Sequence, residues 1–385
     1  MTGSSGKTTT VSLLAHILSS QGQTFCQVFG NGIEDTTKTI KESQRSDKFV
    51  VMEVGTARPG QIFPQAKLVR PNISIVTLVA LEHYSAFRSV EAVASEKAQL
   101  VRVLPRDGVA ILNFDNDFVR AMAAGTKARV VGFGIEHGSY RISDLRIGSD
   151  GRLSLTLQPP SKASLRIETQ LLGTYSWLAV AAAATCALEL GVSAEVVVSR
   201  IASFTPVPGR MSVHQIAHGP KFILDTTKAP WFSMSLPFGV ISKIVAPRRR
   251  VVIGQISDYA GNPKAKYRDA YRAAREFAAE VIFIGSHAHR VKPVEDDVAQ
   301  GRFRVFSSVR DCADYVRETA IEDEVIFVKS SGNLHLERLW LHCATDVQCW
   351  PTECGFNSRA CVHCLPDKPF AEHGKFKYSK SRVRL

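Results

Sequence analysis

Short apolar runs alternate with helical stretches through the first half of the chain. Each run has the length and the β-branched content of a buried strand, and segments with helical spacing, Thr10–Ser19 and Val90–Val103, lie among them. The runs are Phe49–Met52, Ile73–Leu78, Val109–Leu112 and Val130–Phe133. Strands that alternate with helices predict an α/β fold built on a mostly parallel sheet.

The pattern changes over residues 139–170. Apolar and polar residues alternate at Leu153–Leu157 and again at Leu165–Ile167, which predicts an antiparallel insert. An alanine-rich helix is predicted from Trp177 to Leu190. It is too short for a membrane span, so we predict a buried helix of a globular domain.

A second α/β series follows the segment Thr205–Gly209, whose two prolines predict an interdomain linker. A helix is predicted over Tyr267–Glu280. The predicted strands are Phe222–Leu224, Val251–Ile253, Val281–Ile284 and Val325–Val328. This series predicts a smaller Rossmann-like domain. From about His342 the chain becomes rich in cysteine and basic residues.

Composition limits the class of protein. The chain has 385 residues, of which 45% are hydrophobic and 22% are charged, as in ordinary globular proteins. It shows neither a membrane span nor a secretory signal, and we predict a cytoplasmic protein without membrane association. The net charge of +12 favours anionic partners, so nucleic-acid binding remains an alternative to binding of anionic substrates.

Residues 2–10 read Thr-Gly-Ser-Ser-Gly-Lys-Thr-Thr-Thr, which is a short phosphate-binding loop. Gly3 and Gly6 let successive backbone N–H groups point at one phosphate, and the helix that follows presents its positive end to the anion. Lys7 adds a charge for the β- and γ-phosphates, and Thr8 offers a hydroxyl to Mg²⁺. The motif predicts a nucleotide site, although the strand that normally precedes such a loop has almost no residues.

Further polar residues follow the predicted strands. Glu53 ends one strand, where a carboxylate can reach Mg²⁺ from the side opposite Thr8. His83 follows the next strand, and Lys97 lies on the helix after it. In the second series, Arg210 lies at the linker, and the segment from Asp225 to Pro230 ends the first strand.

This ordered set resembles the Mur ligase family, ATP-dependent enzymes that join a carboxylate to an amine, and is most similar to its MurF-type branch. The stretches that carry the resemblance are TGSSGKTTT, EVGTARPGQI, the Glu-His and Glu-Lys pairs between residues 82 and 97, ILNFDND, PVPGRM, Asp225–Met234, VVIGQISD and VKSSGN. The resemblance implies an α/β fold with a P-loop central domain over residues 1–208 and a Rossmann-like domain over 209–340. A Cys/His-rich basic tail would form residues 341–385.

The resemblance also implies roles for single residues. Lys97 matches a lysine that carries CO₂ as a carbamate in several members and so becomes an anionic metal ligand. The implied catalytic residues are Lys7, His83, Lys97, Arg210 and Lys228. The implied nucleotide contacts are Gly3, Ser4, Ser5, Gly6, Lys7, Thr8, Thr9, Asn113, Tyr175, Arg210 and Asp225. The implied Mg²⁺ ligands are Thr8, Glu53, His83 and carbamylated Lys97. The reaction would pass through an acyl phosphate made from ATP.

Three features depart from the family pattern. The sequence begins without the N-terminal domain that grips the UDP-sugar end of the family's substrate, and we expect either a truncated start or a substrate that lacks the UDP part. The family's adenine segment, Gly-x-His-Asn-x-x-Asn, reads Gly173-Thr174-Tyr175-Ser176-Trp177-Leu178-Ala179, which leaves Tyr175 or Trp177 to stack on the base. Lys228 replaces a histidine. These features predict a ligase divergent from those of peptidoglycan synthesis, acting on a small-molecule or peptide carboxylate and an amine or amino acid.

The tail lies outside the resemblance. Cys343, Cys349, Cys354, Cys361 and Cys364 fall within 22 residues, with His342, His363 and His373 nearby. In a cytosolic protein such clustering predicts structural Zn²⁺ bound by four of the cysteines, ahead of reactive thiols. Cys361 and Cys364 form one half-site, and the other three cysteines compete for the second.

Two alternatives to this ligase remain. One is a folylpolyglutamate-synthase-like ligase with the same chemistry. The other is a catalytically lapsed Mur homologue that senses nucleotides, or binds nucleic acid or a protein partner through its basic zinc tail.

Overall fold

The computed structural model describes residues 1–28, 30–351, 354, 361, 364, 367 and 368. Within them the chain forms two compact units: residues 1–148 with 152–205, and residues 149–151 with the described residues from Pro206 to 368. The predicted α/β class is confirmed. The predicted domain boundary after residue 340 falls inside the last helix of the second unit.

The first unit contains eight strands and eight helices among its described residues. The strands are β1 (Thr24–Gln27), β2 (Phe49–Met52), β3 (Ile73–Val76), β4 (Val109–Asn113), β5 (Arg129–Gly134), β6 (Tyr140–Ile147), β7 (Arg152–Gln158) and β8 (Leu165–Leu172). The helices are α1 (Lys7–Leu18), α2 (Ile33–Glu42), α3 (Ile62–Val69), α4 (Tyr84–Phe87), α5 (Val90–Arg102), α6 (Asp117–Ala121), α7 (Trp177–Glu189) and α8 (Ala194–Ser203).

Met1 and Thr2, which precede the phosphate loop, lie between β2 and β3. Val54 N–H donates to the Met1 carbonyl at 2.8 Å, and Thr2 N–H donates to the Ile75 carbonyl at 2.9 Å. They connect the parallel pair β1–β2 to the six-stranded sheet β3-β4-β5-β6-β7-β8. The loop therefore leaves the sheet at the edge where the parallel strands β2 and β3 also end.

The insert over residues 139–170 is antiparallel, as predicted. β6, β7 and β8 pair antiparallel with one another, while β6 continues the parallel part of the sheet beside β5. The alanine-rich helix α7 is buried along most of its length and packs against α1. Alanine side chains permit this packing because they let two helix backbones approach closely.

The second unit contains six strands and five helices among its described residues. The strands are β9 (Ser212–Gln215), β10 (Lys221–Asp225), β11 (Arg249–Ile253), β12 (Glu280–Ile284), β13 (Phe303–Phe306) and β14 (Val325–Lys329). The helices are α9 (Ser235–Ile241), α10 (Pro263–Arg275), α11 (Glu295–Ala299), α12 (Val309–Thr319) and α13 (Arg338–Ala344). The sheet order is β13-β12-β11-β14-β10-β9, and every pair except β10–β9 is parallel.

Two predicted helix boundaries are wrong. α1 begins at Lys7 rather than Thr10, because Gly6 adopts a φ of 80° and turns the chain directly into the helix. α10 spans Pro263–Arg275 rather than Tyr267–Glu280, because the Asn262 side chain caps its start and proline occupies its first turn. None of the helices among the described residues is long and apolar enough to cross a membrane.

His214 on β9 makes the stability of the second unit depend on pH. Its ring stacks on Trp340 with a centroid distance of 4.0 Å, and its Nε2 lies 2.9 Å from the Ser212 hydroxyl. Burial lowers the pKa of His214 from 6.5 to about 4. Between pH 6.5 and 4, His214 binds a proton in the unfolded chain but not in the folded one. The free energy of unfolding is therefore expected to fall as the pH drops from 6.5 to 4. Thermal unfolding across this window should show a smaller loss in His214→Gln.

The matched control is His218→Gln, since that histidine is exposed, with a side-chain accessibility of 94%. His218→Gln should retain the parent's loss of stability on acidification. An unchanged pH profile in His214→Gln would contradict the prediction.

Candidate active site

The phosphate-binding loop is shaped by two glycines with positive φ. Gly3 has a φ of 154°, and a Cβ there would lie 2.1 Å from the Thr77 hydroxyl. Gly6 has a φ of 80° and directly precedes α1. Only glycine adopts these angles without strain, so the turn that directs backbone N–H groups towards a phosphate requires both residues.

The loop is fastened to the segment that follows β3. The Ser4 hydroxyl donates to the Ala80 carbonyl at 3.1 Å and accepts from the Ala80 N–H at 3.0 Å. The Ser4 N–H donates to the Leu78 carbonyl, and the Thr77 hydroxyl donates to the Ser5 carbonyl. The hydroxyl and the N–H of Ser4 are thus both engaged within the protein, where they support the loop, and its contact with nucleotide stays a prediction.

The two residues that end the loop lie at the start of α1. The Lys7 ammonium donates to the Gly3 carbonyl at 2.5 Å and so spans the loop. Thr8 is buried in the first turn of the helix. Lys7 therefore lies across the cradle in which the motif predicts a phosphate.

Glu53 is a buried acid at the end of β2. It is 3% exposed, and its Oε1 has no hydrogen-bond partner among the described residues. The Asn31 amide lies 3.4 Å from its other carboxylate oxygen. A buried carboxylate oxygen without a donor is costly unless a cation meets it. Glu53 therefore fits the predicted role of a Mg²⁺ ligand.

A buried ion pair lies beside the loop. The Lys97 ammonium on α5 is 2.5 Å from Glu82 Oε1, and the two residues are 1% and 7% exposed. Burial opposes ionisation of Glu82, but the charges of Lys97, Lys7 and His83 together hold the pKa of its carboxyl below the usual value. The structure thus brings three predicted catalytic residues, Lys7, His83 and Lys97, around an acid that the predicted site lacks.

Glu96, next to Lys97, organises the loop after Glu53. Its carboxylate accepts the Gly60 N–H at 2.8 Å and the Ile62 N–H at 2.7 Å. An acidic side chain here satisfies the free N–H groups at the start of α3. The two residues of the predicted Glu-Lys pair therefore act separately. Glu96 holds the loop before α3, and Lys97 forms the buried ion pair with Glu82.

The predicted nucleotide contacts outside the phosphate loop are placed as follows. The Asn113 amide donates to the Thr77 carbonyl at 2.8 Å, and its oxygen accepts the Asp115 N–H at 3.1 Å. Both polar ends of Asn113 therefore support the backbone behind the phosphate loop. Tyr175 is half-buried before α7, and the Trp177 ring packs edge-on against Phe133 at 6.4 Å.

In the second unit, the polar residues gather where β10 and β14 end. Asp225 forms a buried ion pair with Lys329, whose ammonium also donates to the Lys228 carbonyl at 2.9 Å. Lys329 is 3% exposed and is absent from the predicted site, although it belongs to the VKSSGN stretch. The Arg210 Nε is buried without a hydrogen-bond partner among the described residues. That donor is consistent with a role in binding an anion.

The structure separates the tail cysteines. Cys343 lies in the apolar core beside α12, and burial raises the pKa of its thiol to about 11. Its charged neighbours are Arg250, Arg317 and Glu324. Cys361 lies instead beside His335 and Glu337. The Nε2 of His342 lies at hydrogen-bond distance, 2.8 Å, from the Asp314 carboxylate. His363, His373 and the basic C-terminus lie outside the described residues.

Comparison with known proteins gives a family model that matches part of the chain. Residues 1–187 match the Mur ligase middle domain. The UDP-N-acetylmuramoyl-tripeptide–D-alanyl-D-alanine ligase of Mycobacterium leprae is 32% identical over 245 residues, which are 60% of this chain and 47% of that protein. The enzyme of the same name from Escherichia coli is 26% identical over 298 residues, 76% of this chain and 65% of that protein. The chain thus spans about half to two thirds of the length of these relatives.

Solved structures show the same fold. A crystal structure of MurF from Acinetobacter baumannii has a TM-score of 0.79 at 22% identity and covers 89% of this chain and 75% of that chain. MurF from Thermotoga maritima in complex with ADP has a TM-score of 0.75 at 19% identity, covering 89% and 78%. The likeness extends over both units and confirms the Mur ligase fold.

Proposed function

We propose that this chain, whose residues 1–187 match the Mur ligase middle domain, is an ATP-dependent ligase that joins a carboxylate to an amine. The observation that supports the proposal most directly is the group of charged residues at one edge of the first sheet. The phosphate loop, the buried carboxylate of Glu53 and the Glu82–Lys97 pair follow neighbouring parallel strands there. Ligand sites in α/β sheets lie at this edge.

The proposed reaction has two steps. A substrate carboxylate oxygen attacks the γ-phosphorus of ATP, the bond to the β-phosphate oxygen breaks, and ADP leaves. The amine then attacks the acyl carbon of the acyl phosphate, an amide bond forms, and inorganic phosphate leaves with the loss of one proton from nitrogen. The first step brings two anions together, so it needs cationic groups around the transferred phosphoryl group.

Several residues of this chain would supply or hold the positive charge that the first step requires. Lys7 and the backbone N–H groups of the loop would hold the phosphates, and Thr8 and Glu53 would hold Mg²⁺. When bound, Mg²⁺ neutralises phosphate charge. Arg210 and Lys228 keep the anion-binding roles that the resemblance implies for them. His83 and Lys97 would contribute to a second metal position, as the resemblance implies.

We propose the substrates from the names of the relatives and from the positions at which this chain differs from the family pattern. The named relatives act on UDP-N-acetylmuramoyl-tripeptide and D-alanyl-D-alanine. We propose the same reaction class with a different acid, because the segment Gly173–Ala179 and Lys228 differ from the family pattern. A folylpolyglutamate-like ligase and a lapsed homologue have no further support in the described residues.

The proposed cofactors are ATP, Mg²⁺ and a structural Zn²⁺ in the Cys-rich segment. A reaction that consumes ATP suits the cytoplasm, where we propose that the chain acts. Its partners would be an acid and an amine substrate. Protein or nucleic-acid binding by the basic tail remains a secondary proposal that rests on its charge.

The test is release of ADP and phosphate from MgATP. The purified chain would be supplied with UDP-N-acetylmuramoyl-tripeptide and D-alanyl-D-alanine, and then with panels of other carboxylates and amines. Turnover that requires both an acid and an amine, with an amide product seen by mass spectrometry, is the expected result. ATP binding without turnover on any pair would favour a nucleotide-sensing homologue, and the absence of ATP binding would overturn the proposal.

Glu53→Gln is expected to lower turnover by at least about 10²-fold, because it removes the anionic oxygen proposed to meet Mg²⁺. The dependence of rate on Mg²⁺ concentration should shift to higher values. The matched control is Glu91→Gln, the same exchange at an exposed residue in the first turn of α5. Parent-like activity and Mg²⁺ dependence in Glu53→Gln would remove Glu53 from the proposed site.

A further inference from the structure

Three buried polar side chains meet where α13 begins. His335, Glu337 and Cys361 are 2%, 6% and 6% exposed. One atom from each residue, a ring nitrogen, a carboxylate oxygen and the sulfur, lies within 4.8 Å of those of the other two. Cys361 comes from the Cys-rich tail, 24 residues beyond Glu337. The group lies within the second unit and is not used by the proposed ligase site.

The backbone brings these three side chains together. His335 adopts a φ of 51°, a left-handed conformation that is uncommon outside glycine, and the chain turns there towards α13. His335 Nδ1 lies 3.3 Å from Glu337 Oε1, and the same oxygen accepts the Cys361 N–H at 2.8 Å. The fold of the chain therefore fixes the three residues beside one another.

Two of these side chains lack partners that their burial demands. His335 Nε2 is buried and has no hydrogen-bond partner in the described part of the chain. Among the described residues Glu337 has one ion-pair partner, His335, which is charged only when protonated. Arg338, the next residue, directs its hydrogen bonds to backbone carbonyls. A buried carboxylate without a permanent counter-charge is costly, so the group favours a cation.

The three ligand types suit Zn²⁺, which binds imidazole, carboxylate and thiolate alike. With Zn–ligand bonds of about 2.0–2.3 Å, neighbouring ligand atoms of a tetrahedral site are about 3.3–3.8 Å apart. His335 Nδ1 and Glu337 Oε1 already have such a separation, at 3.3 Å. The charges also balance, because one carboxylate and one thiolate neutralise a divalent cation and so lower the cost of burying it.

We propose that one Zn²⁺ is bound by a ring nitrogen of His335, a carboxylate oxygen of Glu337 and the thiolate of Cys361, with water as the fourth ligand. Cys361 binds as the thiolate, so its proton is released to solvent when the metal enters. This set differs from the four cysteines that the sequence predicts, because two of its three residues precede the tail. The proposal does not depend on the ligase function.

The proposed site joins the Cys-rich tail to the loop that follows β14. His335 ends this loop, and Cys361 belongs to the tail. At the start of the loop the Ser330 N–H donates to the Asp225 carbonyl at 3.2 Å, next to the ion pair of Asp225 with Lys329. The metal therefore links the tail to the backbone that carries the polar residues of the second unit.

The test begins with metal content after purification under reducing conditions, where about one Zn²⁺ per chain is expected. His335→Gln, Glu337→Gln and Cys361→Ser should each lower Zn²⁺ affinity at least about 10²-fold in a chelator competition, more than the loss of an outer partner would. His218→Gln and Cys343→Ser make the same exchanges away from the group and should bind Zn²⁺ as the parent does. A chain that neither carries Zn²⁺ nor binds added Zn²⁺ would overturn the proposal.

A second measurement uses the intact chain and does not require that the variants fold. X-ray absorption at the zinc edge should show one sulfur at about 2.3 Å, with the remaining ligands nitrogen or oxygen at about 2.0–2.2 Å. Cys354→Ser should leave this spectrum unchanged. Four sulfur ligands, or Zn²⁺ that is kept by His335→Gln and lost by Cys354→Ser, would show that cysteines alone bind the metal and would overturn the assignment.

Discussion

Lys7→Ala is expected to fold like the parent and to lose turnover by about 10³-fold, with a matching loss of MgATP binding. The Lys7 ammonium spans the phosphate loop by donating to the Gly3 carbonyl. One solvated hydrogen bond of this kind contributes only about 1 kcal/mol to stability. The same charge near the β- and γ-phosphates has no substitute in the loop, since the remaining donors there are uncharged N–H and hydroxyl groups.

Calorimetric titration with MgATP, beside thermal unfolding, measures both parts of this expectation. Lys67→Ala is the control, because it removes one positive charge from an exposed position on α3 in the same unit. It should bind MgATP as the parent does. Parent-like binding by Lys7→Ala would show that residues 2–10 are not the phosphate site, and the ligase proposal would lose its main support.

The sequence was sufficient for those parts of the fold whose signals are local. β2, β4, β10 and β14 are continuous apolar runs, and a glycine-rich loop before a helix has few other interpretations. The strands β1, β9 and β13 were not predicted, because they are short and only partly buried, which leaves no apolar period to detect. Their place is set by pairing with neighbouring strands that are distant in sequence.

The pairs of charges in the site could not be predicted from spacing. Asp225 and Lys329 are 104 residues apart and meet because β10 and β14 are parallel neighbours in register. Glu82 is visible beside His83 in the sequence, but its partner, Lys97, is brought to it by the packing of α5 in the folded unit. Ser4 shows the opposite case, because its motif predicts a nucleotide contact while the fold uses its hydroxyl and its N–H for support.

Lys97→Met is expected to destabilise the first unit by about 3–5 kcal/mol, because it leaves the buried carboxylate of Glu82 without its counter-charge. Both side chains are almost inaccessible to solvent, so water cannot replace the lost ammonium. The double variant Glu82→Gln/Lys97→Met should recover most of this loss, because it removes both charges from the same buried place. Chemical denaturation of the parent, both single variants and the double variant completes the cycle.

The same pair bears on the carbamate that the family resemblance implies for Lys97. A carbamate would reverse the charge of this side chain and place two anions at the 2.5 Å contact that now joins an ammonium and a carboxylate. The ion pair and the carbamate are therefore alternative states, and the second needs cations beside it. With ¹³C-labelled bicarbonate, a carbamate resonance is expected only when Mg²⁺ and nucleotide are both added. A resonance of equal intensity in the metal-free chain, lost in Lys97→Met, would show that Glu82 does not hold Lys97 as an ammonium.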